Sequence, residues 1–148
     1  MDKDELKELI GGLGDKTILA IDGQDISAYV DTGSYALNAQ LSGSIWKGQP
    51  SGTCFALAGD EATGKTFFAL SEVKSFLDKN PNGIVYYFES EGSVRKETLI
   101  SRGIDINRVV FVPVFTIEEF RTKCSNVLNK IDKGLGKKYK FMCVLDSL

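Results

Sequence analysis

The sequence predicts an α/β fold, a mainly parallel sheet flanked by helices, from three observations. Apolar runs of strand length alternate with segments of helical periodicity. The runs are apolar throughout rather than at every second residue, as in strands covered on both faces. A glycine-rich turn joins the first of these runs to the helix after it. With 148 residues the chain is long enough for one domain with a real core and leaves no room for two. At 43% hydrophobic and 26% charged residues, with 15 Gly and 3 Pro, the composition excludes disorder, collagen and coiled coil.

Each element has its own reason. Leu6, Leu9 and Ile10 at helical spacing, with Asp2 and Asp4 as capping residues, predict a short helix ending at Gly11-Gly12. Residues 17–20 form a short extended piece, and neither segment carries enough apolar surface to make a core alone. Both are expected to dock on the main domain or on a neighbouring copy, so residues 1–30 read as an oligomerisation element and 31–148 as the core. Between Asp31 and Gly52 the chain is punctuated by Gly33, Gly43, Gly48 and Pro50, with Leu37 and Leu41 on one helical face: a helical turn, then an ordered loop. Residues 53–58 (TCFALA) form the first predicted strand and 65–77 a helix. Residues 84–88 (IVYYF) follow the turn Asn80-Pro81-Asn82-Gly83 as a second strand. A short helix over 94–102 closed by Gly103, a strand over 109–114, a helix from Ile117 to Ile131 and a strand over 139–145 complete the alternation.

Composition removes several function classes. The chain has no histidine, which excludes a Ser-His-Asp triad, a Cys-His pair and an HExxH zinc site. Chemistry must rest on carboxylates, lysine, hydroxyls or a bound ion. No apolar run approaches the roughly 18 residues of a membrane span, and the acidic N-terminus is unlike a signal peptide. Cys54, Cys124 and Cys143 lack CxxC spacing and read as reduced core thiols, so a cytoplasmic protein is expected. Net charge is -2, yet residues 1–31 carry eight acids against three lysines, while residues 121–140 carry seven bases against Asp132. That asymmetry is ordinary solvated surface, or else a head-to-tail contact between copies or a basic face toward nucleic acid.

The motif that carries chemistry is Gly59-Asp60-Glu61-Ala62-Thr63-Gly64-Lys65-Thr66, a full match to GxxxxGK[ST]. Its four fixed positions match by chance in roughly one chain of this length in a few hundred. Glycines let the backbone curl so that successive N–H groups face an anion, and the following helix adds partial positive charge. Lys65 is placed to reach the β- and γ-phosphates and the Thr66 hydroxyl to ligate Mg²⁺, with Phe67 continuing the nucleotide-binding segment. Asp146, ending an apolar strand, is the expected second Mg²⁺ partner. Phe88-Glu89-Ser90-Glu91-Gly92 ends another strand with two carboxylates on one side, either of which could polarise an attacking water. Carboxyl ends of parallel strands are where ligands bind, so both acids fall near the phosphates.

Together these motifs resemble the ATPase core of RecA-type recombinases, most closely the phage UvsX-like branch, over about residues 31–148. Residues 32–43 (TGSYALNAQLSG) and Gly48-Gln49-Pro50-Ser51-Gly52 resemble the family's lead-in to the phosphate loop. Phe88-Glu89-Ser90-Glu91 resembles its catalytic-glutamate strand and selects Glu91 as water activator; Val144-Leu145-Asp146-Ser147 resembles its Walker B strand, and residues 104–109 (IDINRV) its connection to the third strand. The resemblance implies a RecA-like P-loop NTPase core that takes ATP and Mg²⁺, with Lys65 and Glu91 catalytic and Thr66 and Asp146 on the metal. It further implies a DNA-dependent ATPase that forms filaments on single-stranded DNA and exchanges strands in recombination and repair. A helicase-type or circadian-type ATPase shares this core, and a non-catalytic fragment that binds nucleotide or caps a filament is the non-enzyme alternative.

The sequence departs from the family at three places. Asp60 and Glu61 put negative charge where many members have small residues, and Arg95 and Thr98 stand where the family often places an acid or aromatic for adenine. The resemblance also ends just after Asp146, before the family's DNA-lining loops, so the chain reads as a C-terminally truncated core whose second half another polypeptide would supply. In the fold implied by the resemblance, the strand after Walker B lies between the Walker B and phosphate-loop strands; its loss predicts a marginal or aggregation-prone isolated chain.

Overall fold

A computed structural model describes residues 3–9, 11, 23 and 25–147. The chain is α/β: a three-stranded parallel sheet of order β4-β3-β5 flanked by helices, with a small antiparallel ribbon beside it. In chain order the elements are α1 (Lys3–Leu9), β1 (Tyr29–Val30), α2 (Tyr35–Ser42), β2 (Gln49–Pro50), α3 (Lys65–Lys79) and β3 (Gly83–Glu89). Then come α4 (Lys96–Ser101), a 3-10 turn (Ile106–Arg108), β4 (Val109–Pro113), α5 (Ile117–Lys130), a wide π turn (Ile131–Leu135), α6 (Gly136–Lys138) and β5 (Lys140–Asp146).

The core lies on one face of the sheet. Leu70, Val73, Phe76 and Leu77 recur along α3 at helical spacing and pack on Val85 and Tyr87 of β3, which point the same way because strand side chains alternate. Val94, Leu99 and Ile104 close the cluster, with Met142 and Val144 of β5 at its margin. Burial of each large side chain contributes about 1.5–3 kcal/mol. Arg108 secures the far end of α3: its guanidinium donates to the carbonyls of Leu77 at 3.0 Å and Asn80 at 2.9 Å. The opposite face is covered more thinly. Phe120 of α5 meets Phe88 edge-on at a centroid distance of 5.2 Å, while Ile117 and Leu128 on the same helix stay exposed.

The segment that leads into the glycine-rich loop is ordered by one buried amide. Asn38 accepts from the Thr32 backbone N–H and hydroxyl through Oδ1 and donates through Nδ2 to Asp31 Oδ1 and the Ile45 carbonyl, satisfying all four of its sites. The bond from Asn38, then one from the Gly33 N–H, holds the Asp31 carboxyl below the usual carboxylate range. Gly48 has φ +132°, and a Cβ there would collide with the Val30 carbonyl, so the ribbon β1–β2 closes only around a glycine.

Two expectations are corrected and one element is added. Residues 53–58 form no paired strand: the apolar run is present, but among the described residues no neighbouring strand offers it a ladder, and Thr53, Cys54, Ala56 and Ala58 are exposed. The cysteines are not core residues, since Cys54 and Cys143 are exposed and Cys124 is half-buried. The ribbon β1–β2 was not anticipated and joins residues on either side of position 30. The predicted extended piece at 17–20 and the Gly12 end of the first helix lie outside the described residues. Among the described residues no helix is long and apolar enough to cross a membrane.

Candidate functional site

The glycine-rich loop ends in the first turn of α3. Gly64 caps the helix in the left-handed region at φ +94°, where a side chain would be strained, and Ala62 also sits at positive φ, 60°. A Cβ on Gly59 would lie 2.9 Å from Thr63 Oγ1, so the loop is wound too tightly there for a side chain. Thr63 Oγ1 donates to the Asp60 carbonyl at 2.8 Å and pins the curve. No side chain caps the start of α3 and its first turn holds no acid, which leaves its N–H groups and dipole for an anion. The Lys65 ammonium arches back over the loop and donates to the Gly59 and Asp60 carbonyls, both at 2.8 Å.

The sheet brings the acids to this loop. Parallel register pairs Glu89 with Asp146, so β3 and β5 end side by side at their carboxyl ends. The Thr66 hydroxyl donates to Asp146 Oδ2 at 2.9 Å, linking the glycine-rich loop to a strand 80 residues away. Tyr87 donates its phenol to the same oxygen at 2.7 Å. Full burial, and then the Asp146 carboxylate that accepts its proton, push the Tyr87 phenol well above its ordinary range.

The two glutamates diverge. Glu89 Oε1 turns back to accept the Val94 N–H at 3.1 Å, which ties it to the loop before α4. Glu91 Oε1 accepts from Ser147 Oγ at 2.6 Å, and the Ser147 carbonyl accepts from Ser90 Oγ at 2.7 Å. Glu91 is thereby held to the residue that follows Asp146.

The structure therefore brings together the loop residues Gly59 to Gly64, Lys65, Thr66, Asp146 and, through Ser147, Glu91. Asp60, Glu61, Ala62, Thr63 and Phe67 are exposed; Gly64, Lys65, Thr66 and Asp146 are half-buried. A hydroxyl and a carboxylate oxygen within hydrogen-bond distance are hard oxygen donors, the set that suits Mg²⁺. Among the described residues no group of three or more His, Cys, Asp or Glu is arranged around a metal. Phosphate and water oxygens would have to complete such a shell, as is usual for this ion. Tyr87, Ser90 and Ser147 escaped the sequence reading. Tyr87 belongs to an apolar strand, and only the alternation along 84–88 hinted that it faces away from Tyr86 and Phe88.

An α/β core with a glycine loop, a lysine and an acid at the strand ends is the class of site that fold and geometry define. No protein-family model matches the chain. Over 112 residues, 76% of its length, the chain is 33% identical to the "Recombination and repair protein" of Enterobacteria phage T4. The match covers 27% of that protein, so the chain spans about a quarter of the length of the relative it matches.

Proposed function

We propose that this chain is the ATP-binding part of a RecA-like, UvsX-type recombinase that acts on single-stranded DNA in recombination and repair. The observation that carries the nucleotide site is the Thr66 hydroxyl on the Asp146 carboxylate, beside a glycine loop whose lysine covers its carbonyls. The similarity to a recombination and repair protein supports the DNA context.

In this reading the loop N–H groups and the Lys65 ammonium take the β- and γ-phosphates. Lys65 first gives up its bonds to Gly59 and Asp60, which ATP replaces with charged oxygens. Thr66 and Asp146 would hold Mg²⁺, which when bound neutralises charge on the phosphate oxygens. Tyr87 fixes the Asp146 carboxylate. Glu91, steadied by Ser147, orients a water whose oxygen attacks the γ-phosphorus. The bond to the β,γ-bridging oxygen breaks, ADP departs with the electron pair, and the water's proton passes to the Glu91 carboxylate. Filaments on single-stranded DNA would couple this cycle to strand exchange.

Titration of the purified chain with Mg²⁺-ATP, followed by ATPase assays with and without single-stranded DNA, tests the reading. Lys65→Ala is expected to abolish binding, and Glu91→Gln to retain binding and lose turnover. Wild-type protein that binds no ATP would overturn it. Wild type that binds ATP without turnover would instead favour the non-catalytic alternative, a fragment that binds nucleotide or caps a filament.

A further inference from the structure

Phe67 follows Thr66 directly, about 100° around α3 and 1.5 Å along it. Phe67 is 52% exposed although it lies in the first turn of a 15-residue helix, beside the glycine-rich loop. The guanidinium of Arg102, from the end of α4, sits 4.5 Å from the ring centroid, and Phe68 meets the ring at 88° with centroids 5.7 Å apart. Arg102 from the end of α4 and Phe68 from α3 thus hold the ring between them, with about half of Phe67 open. A contact that served only to tie α4 to α3 would be buried, as Leu99 of α4 is at 1% exposure.

We infer that Phe67 and Arg102 form a stacking platform for the base of the nucleotide, and that the platform favours a purine. This rests on the phosphate-loop reading above. Phosphates held by Lys65 and the loop leave ribose and base to project over the adjacent surface, which Phe67 supplies. Every base has a π-face that can stack on an aromatic ring, and the larger purine covers more of it. Arg102 strengthens the platform from behind: its guanidinium covers one face of the ring at 4.5 Å, which steadies the ring and leaves the other face for the base. The base would then be held by stacking on Phe67, backed by the end of α4, rather than by Arg95 and Thr98 near its start.

The experiment compares Mg²⁺-ATP, Mg²⁺-CTP and Mg²⁺-tripolyphosphate by calorimetric titration of the full chain. Wild type is expected to bind ATP at least tenfold more tightly than tripolyphosphate, and more tightly than CTP. Phe67→Ala should weaken ATP about tenfold, within the usual range for losing one base–aromatic stack, and leave tripolyphosphate within twofold. Phe67→Tyr should restore ATP binding, and Arg102→Ala should lose about threefold on ATP alone. Tripolyphosphate serves as the control for folding, because a misfolded variant would lose it too. Equal losses on both ligands, or no loss on ATP, overturn the platform while leaving the phosphate site intact. Wild type that binds ATP no better than tripolyphosphate does the same. Wild type that binds neither overturns the phosphate-loop reading and the platform with it.

Discussion

On the α3 face of the sheet Val73, Val85 and Tyr87 are completely shielded and Leu70 and Leu99 nearly so; on the α5 face Phe88 is shielded too, but the helix above it leaves Ile117 64% and Leu128 53% exposed. Both faces carry apolar residues at helical and strand spacing. What separates them is how each covering helix is seated. Four apolar residues of α3 recur along one stripe and enter a single cluster with β3 and α4, whereas α5 meets the sheet through the Phe120–Phe88 contact and through the Lys123 ammonium, which donates to the Pro113 carbonyl at the end of β4. Apolar pattern marks a face that can be buried, and the geometry of the neighbours decides whether it is.

The sharpest way to break this contrast is to truncate one residue on the α3 face and two on the α5 face. Leu70→Ala should cost about 3 kcal/mol, from lost transfer energy and a residual cavity. Ile117→Ala and Leu128→Ala should each stay within about 0.5 kcal/mol, because those side chains are already in water. Urea unfolding midpoints of the three variants at equal slope provide the measurement. Similar losses on both faces would show that α5 is seated as firmly as α3.

Glu72 is an exception inside the well-packed region. It is 3% exposed on α3, its Oε1 has no hydrogen-bond partner, and burial raises its pKa from 4.5 to about 7. The folded state therefore binds more protons than the unfolded chain between pH 4.5 and 7. Stability falls as pH rises through that window and the whole penalty is present above pH 7. After allowance for residual solvation the penalty is about 2 kcal/mol. Glu72→Gln should raise the unfolding free energy at pH 8, change it little at pH 5, and flatten the slope between them. Denaturant melts at the two pH values would expose a penalty of the wrong sign or size.

These residues also show what was legible in the sequence. Strands β3, β4 and β5 and helices α3 and α5 fall within two residues of where periodicity put them, since a fully apolar run and a helical stripe are local signals. Residues 53–58 carry the same signal and form no strand, because pairing needs a neighbour that local sequence cannot supply. Glu72 was invisible for a related reason: one charge in a helical stripe does not reveal which way it points. In the site, Lys65, Thr66 and Asp146 were legible as a motif, while Tyr87 and Ser147 were not, because their partners are fixed by the parallel register. That register also separated Glu89 from Glu91, which spacing alone left equivalent.

Tyr87 tests whether the well-packed face also serves the site. Tyr87→Phe keeps the ring in the core and removes the donor to Asp146 Oδ2. Loss of one buried hydrogen bond should cost about 1 kcal/mol of stability. Mg²⁺-dependent ATP binding should weaken by a similar factor, about fivefold, while metal-free binding is unchanged. A variant that loses stability without any change in Mg²⁺ dependence would make Tyr87 a core residue only.

The smallest effect on stability is expected at the outer edge of β5, and it is informative for that reason. Among the described residues β5 pairs with β3 on one side alone, and the apolar run at 53–58 has no ladder partner. Unpaired N–H and C=O groups beside an apolar surface are a template for another chain, so the purified protein should self-associate in a concentration-dependent way. Lysine at an exposed edge position opposes such pairing by charge and hydration. Cys143 is exposed on β5, and Cys143→Lys should shift the unfolding free energy by less than about 0.5 kcal/mol while reducing association seen by sedimentation. Cys143→Ser under reducing conditions separates edge pairing from thiol oxidation, since it removes the thiol and leaves the edge bare. A monomeric wild type with a sharp two-state melt that ATP shifts upward would refute the open edge. The outer edge of β5 would then be a finished surface.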